Sequence, residues 1–140
     1  MTSTQLKRWP SVAGRVVLIL LTLLVALEFA STGVAKLTNS PQQIANFTHW
    51  GYPLWFMFVI GVLEASGALL LLGSLFLKRL ALPGAMLIAA DMCGAIYTHI
   101  AHGEWGNLPL ACTLLALVII IGWLGRTSWP GAQALPKVTG

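Results

Sequence analysis

The chain has 140 residues, of which 57% are hydrophobic and only 9% charged. An average soluble domain carries roughly a quarter charged residues, so this composition excludes a water-soluble enzyme and a disordered tail. Lys plus Arg number 8 against 4 Asp plus Glu, yet the basic residues sit at the ends of apolar runs and form no compact footprint, so no nucleic-acid partner is expected.

A bilayer core about 30 Å thick is crossed by about 20 apolar helical residues. Four runs qualify: residues 16–37, 54–77, 80–101 and 108–124. The first follows Lys7 and Arg8 and could be taken for a leader, but it stays apolar past Glu28 to Lys36 and has no clear A-x-A site, so it reads as a span. After it, Ser40, Pro41 and Gln43 supply an N-cap, a first-turn proline and a capping-box partner, with Ile44 and Phe47 at helical spacing. A short helix over 41–50, lying on the outer surface and ended by Gly51 and Pro53, follows. An interfacial connector is the expected role, and a lid over an outward cavity is the alternative. Asn46-Phe47-Thr48 also matches a glycosylation sequon, a weak pattern.

Only Lys78 and Arg79 separate the second and third spans, which predicts an antiparallel hairpin, with Pro83 tolerated in the first turn of the third span. The expected fold is therefore all-α: a four-transmembrane-helix bundle with a short interfacial helix in the first outer loop. Residues 16–125 form the membrane domain between a cytoplasmic segment 1–15 and a cytoplasmic tail 126–140.

That orientation comes from the basic residues. With both termini inside, Lys7, Arg8, Arg15, Lys78, Arg79, Arg126 and Lys137 are cytoplasmic and Lys36 alone is outside. Trp9, Trp123 and Trp129 then mark the inner boundary, and Trp50, Trp55 and Trp105 the outer one.

Candidate chemistry lies in the few charges within the spans. Counting about 1.5 Å per residue places Glu28, Glu64 and Asp91 each roughly 15–18 Å from an end of its helix, near mid-membrane. Lys36 and His99 lie about 12 Å further outward on the helices of Glu28 and Asp91. A carboxylate at the bilayer centre costs at least about 2.5 kcal/mol, so all three acids are expected to face the interior and find partners or become neutral. Small neighbours at helical spacing support this: Ser31 and Thr32 near Glu28, Gly61, Gly67 and Ala68 near Glu64, Gly94 and Ala95 near Asp91. The acids read either as packing glue or as a proton path or acid/base site. His99 and His102 lack a further ligand set, so no metal site is expected. Cys93 and Cys112 read as buried apolar fillers, with a disulfide possible but not indicated.

With these residues placed, the chain resembles the DoxX-like family of small four-helix membrane proteins. The resemblance rests on Gly33-Val34-Ala35-Lys36-Leu37, Gly61-Val62-Leu63-Glu64 and Ala95-Ile96-Tyr97-Thr98-His99 in that order. It implies association with membrane redox complexes, oxidative-stress assemblies or enzyme maturation, and it places Lys36, Glu64 and His99 on motif positions. Glu28 and Asp91 depart from the pattern.

Three functions follow. One is a redox-associated subunit of a bacterial inner membrane, working with a partner membrane or redox subunit and an exchangeable quinone as cofactor. The second is a small enzyme doing acid/base chemistry (isomerisation, cyclisation or epoxide opening) on a lipophilic small molecule, with Glu28, Glu64, Asp91, Lys36 and His99 as its catalytic set. The third is a non-catalytic assembly factor. A homo-oligomer is compatible with each.

Overall fold

The structure is a computed structural model that describes residues 12–127. Lys7, Arg8, Trp9, Trp129, Lys137 and the greater part of both expected cytoplasmic segments lie outside the described residues.

Five α-helices run in chain order: α1 (Val12–Leu37), α2 (Pro41–His49), α3 (Leu54–Gly73), α4 (Ala81–Ala101) and α5 (Leu108–Thr127). Short 3-10 turns at Lys78–Leu80 and Trp105–Asn107 precede α4 and α5. Four segments are long and apolar enough to cross a membrane, and α2 sits between the first and second. The expected architecture is thus the observed one, and the two ends of the bundle differ: one carries α2 and the α4–α5 connection, the other the first described turn of α1, the last of α5 and the α3–α4 connection.

The helix ends refine the expectation. α1 is already helical at Val12, the first described residue and four before position 16, with Gly14 the one poor helix former in that stretch. The Ser40 hydroxyl accepts the Gln43 N–H at 3.4 Å and caps α2 as expected. The α3–α4 connection is longer than Lys78 and Arg79. α3 stops at Gly73, Ser74 Oγ donates to the Leu71 carbonyl at 2.6 Å, and Leu77 N donates to the Gly73 carbonyl at 2.8 Å. Those bonds consume the final carbonyls and turn the chain before the basic pair is reached.

The bundle closes through glycine. At the α1–α3 crossing, a Cβ on Gly61 would stand 2.9 Å from Lys36 Cβ and 3.1 Å from the Gly33 carbonyl, and a Cβ on Gly33 would stand 3.0 Å from the Ala65 nitrogen. Backbone lies against backbone there, the contact that small residues permit in a membrane. Gly67 and Gly84 do the same between α3 and α4. α1 packs most extensively on α3 and α4 on α5, whereas the α1–α5 seam is the loosest of the neighbouring pairs.

Between the two ends lies an apolar layer of Val25, Ala26, Leu71, Ile88, Val118 and Ile121, all buried. Outward-facing positions such as Leu24, Leu27, Leu69 and Ile119 are exposed, as lipid-facing side chains are. Cys93 and Cys112 are free and exposed, not buried fillers. Cys93 is two residues, about 200°, around α4 from buried Asp91, and Cys112 follows buried Ala111.

Replacing Gly61 by leucine should drive α1 from α3 and cost about 1–3 kcal/mol, read as a lower unfolding temperature in detergent. Gly94→Ala, where an added Cβ meets nothing within 4 Å, should not lower that temperature.

Candidate functional site

The crossing of Gly33 and Gly61 sets Lys36 and Glu64 face to face. Lys36 Nζ donates to both oxygens of Glu64, at 2.9 and 2.8 Å, and both residues are buried. Inside a membrane bundle such a charge is tolerable only when paired. Asp91 on α4 is also buried and lies beside the Lys36–Glu64 pair. Among the described residues, no buried side-chain nitrogen or oxygen lacks a hydrogen-bond partner.

Glu28 does not join this trio. The buried stripe of α1 is Val25, Ala26, Phe29, Gly33 and Lys36, which leaves Glu28 about 100° off it and exposed. The expectation that it faces the packed interior is therefore corrected. It lines a cavity of about 200 Å³ together with Glu64, His99, Thr32 and Asn107, walled by apolar residues including Phe29 and Leu114. The wall residues come from α1, α3, α4 and α5, with Glu28 on one side of the loose α1–α5 seam and Leu110 and Leu114 on the other. Ser31 and Gly94, read as packing neighbours, are exposed, while Gly61, Gly67 and Ala68 around Glu64 are buried.

His99 links this cavity to the α2 end. Its Nδ1 lies 2.6 Å from Glu104 Oε2, and a carboxylate can only accept, so Nδ1 carries the hydrogen and Nε2 is left as the acceptor of the neutral ring. Glu104 reaches that point through a helix stop. Gly103 adopts φ +70° after the end of α4, Gly103 N donates to the Ile100 carbonyl at 3.2 Å, and Glu104 N donates to the His99 carbonyl at 2.8 Å. This paired Schellman pattern folds the chain back over His99.

Glu104 is the hub of the outer polar network. Trp50 Nε1 donates to its Oε1 at 3.0 Å, Asn107 Nδ2 donates to its Oε2 at 3.3 Å, and His49 Nε2 lies 3.5 Å from Oε1. The Trp50 bond, then the His99 bond, hold the Glu104 carboxyl below the ordinary carboxylate range. Beside the hub, Thr98 Oγ1 donates to the Gly94 carbonyl at 3.0 Å, so the Tyr52 hydroxyl donates to Thr98 Oγ1 at 3.0 Å. Buried Phe47 clusters with Trp50, Tyr52 and Phe56 at centroid distances of 5.6, 6.1 and 6.4 Å, which seats α2 on α3. Sequence reasoning missed Trp50, Tyr52, Thr98 and Glu104 as site residues. The available signal was an acid five positions after His99 with a glycine just before it.

Four membrane-crossing helices around a buried ionic trio and a mixed polar and apolar cavity define a multi-pass integral membrane protein. The chain belongs to the DoxX-like family, whose sequence profile matches residues 20–121. It is also 28% identical over 102 residues to the uncharacterized protein YdgD of Bacillus subtilis (strain 168), covering 70% of this chain and 90% of that one. No solved structure matches the chain significantly.

Two outcomes follow from this geometry. Lys36→Met leaves Glu64 buried without its cation and should cost about 3–5 kcal/mol, while Lys36→Met combined with Glu64→Met should recover most of that loss, read as detergent unfolding of the two variants. Because the carboxyl of Glu104 is lowered from about 4.5, its contribution to seating α2 is present above that pH and is lost as pH falls below it. Trp50 emission should therefore hold steady from neutral pH to about 4.5 and change only below, and Glu104→Gln should remove that acid transition.

Proposed function

We propose that this protein is a redox-associated membrane subunit that holds the head of a quinone-class lipophilic molecule in the cavity at the α2 end and handles its protons. The observation that carries the reading is that Glu64 and His99 line one apolar-walled space. Reduction of a quinone takes up two electrons and two protons, and oxidation of the quinol returns them. A partner redox subunit supplies or accepts the electrons. This chain supplies the proton groups: His99 Nε2, its ring oriented by Glu104 as a carboxylate orients a working imidazole, and the carboxyls of Glu64 and Asp91.

The trio suits that role by charge balance. Lys36 neutralises the Glu64 carboxylate, both oxygens of which it bonds, and Asp91 is a second buried carboxyl beside them. The cluster is neutral when Asp91 carries a proton, which makes Asp91 a proton store behind Glu64, the member of the trio that lines the cavity. Glu28, on the cavity wall beside the α1–α5 seam, accepts or returns the second proton. With both termini cytoplasmic, as seven basic residues against one favour, the cavity lies in the half of a bacterial inner membrane that faces away from the cytoplasm.

A second reading has the same cavity protonating a lipophilic substrate without net oxidation. The His99–Glu104 pair and exposed Glu28 favour it, being an oriented base and a separate acid in one space.

Short-chain quinones added to the purified protein should quench its tryptophan emission saturably. His99→Gln and Glu64→Gln should each weaken that binding about tenfold or more, with Lys78→Gln unaffected. Unchanged binding in both variants would overturn the proposal. Equal binding of an isoprenoid alcohol that has no redox head would favour the acid/base reading.

A further inference from the structure

The opposite end of the bundle carries a second cavity, of about 150 Å³, which the function above does not use. Its walls are Leu18 and Ile19 of α1, Leu75 of the α3–α4 connection and Ile121 of α5, and Arg15 and Lys78 also line it. Seven residues, about 10 Å of helix, separate Arg15 from Thr22, the deepest position it has on α1. The cavity is therefore basic at its outer limit and apolar along its length.

The hydroxyls inside it settle which way a guest lies. Thr22 Oγ1 donates to the Leu18 carbonyl at 2.8 Å, and Ser74 Oγ donates to the Leu71 carbonyl at 2.6 Å. Each hydroxyl has one hydrogen, and both are committed to backbone. The inner part offers no hydroxyl donor to an anion and only apolar contact to a chain. A volume of this size is comparable to an apolar cavity that admits a benzene-sized molecule, enough for the first few methylenes of one tail.

The geometry points to a binding site for an anionic phospholipid, its phosphate held by Arg15 and Lys78 and one acyl chain lying along Leu18, Ile19 and Ile121. A cation pair at the level of the headgroups above an apolar slot between helices matches both halves of that molecule. A free phosphate would use only the cations and leave the apolar walls uncovered. Occupancy would tie the start of α1 to the α3–α4 connection, which belong to elements far apart in sequence.

Native mass spectrometry of the full chain released from detergent tests this, with phosphatidylglycerol, phosphatidylcholine and glycerol phosphate as probes. Phosphatidylglycerol should bind at least tenfold more tightly than phosphatidylcholine. Arg15→Gln with Lys78→Gln should abolish that preference, while Arg79→Gln, which removes the charge next to Lys78 but outside the cavity wall, should retain it. Ile19→Trp keeps both cations and fills the slot, so it should also lose phosphatidylglycerol, and it keeps the test decisive if the double variant fails to fold. Equal binding of the two lipids, an Arg79→Gln loss as large as that of the double variant, retention by Ile19→Trp, or displacement of the lipid by equimolar glycerol phosphate would each overturn the assignment.

Discussion

One buried ion pair sets the terms for the rest of the bundle. Lys36 and Glu64 meet at 2.8–2.9 Å inside a helix crossing, where both charges are largely removed from water. Such a pair is stable only when its geometry is good and its remaining valences are used. The first condition explains Gly33 and Gly61, because any side chain at either would separate the backbones that deliver the two groups. The second explains Asp91, which brings α4 to the same point. Three of the four crossing helices are thus locked by one electrostatic requirement, and α5 is held by apolar packing on α4.

That asymmetry creates the cavity. α5 has no charged group to offer the trio, and its contact with α1 is the loosest around the bundle. Space opens on that side, bounded by Leu110 and Leu114 on α5 and by Glu28 on α1. A carboxyl at this depth that does not serve packing carries a cost of at least about 2.5 kcal/mol, which a ligand or protons drawn to it would offset.

Much of the architecture was legible in the sequence because the membrane allows so few alternatives. Runs of about 20 apolar residues must be helices, and Ser40, Pro41 and Gln43 announced α2 through capping chemistry that is local by nature. Lys36, Glu64 and Asp91 stood out because charges are rare here. Their pairing was not legible: height along a helix can be counted, but rotation about its axis depends on which face packs, and that misplaced Glu28, Cys93 and Cys112. Positions such as Gly94 mimic packing glycines in sequence and face outward in fact. Glu104 escaped for a different reason. Its role depends on the left-handed turn at Gly103 that folds a loop residue back over the helix it has just left.

The apolar layer of Val25, Leu71, Ile88, Val118 and Ile121 lies between the two cavities. None of these side chains carries a hydroxyl, amide or charge, so among them there is no side-chain relay for hydrogen ions from one cavity to the other. On the proposed function, the groups at the α2 end would exchange protons with the compartment they open to. Chemistry there would then be vectorial, every proton consumed or released being drawn from, or delivered to, the same side.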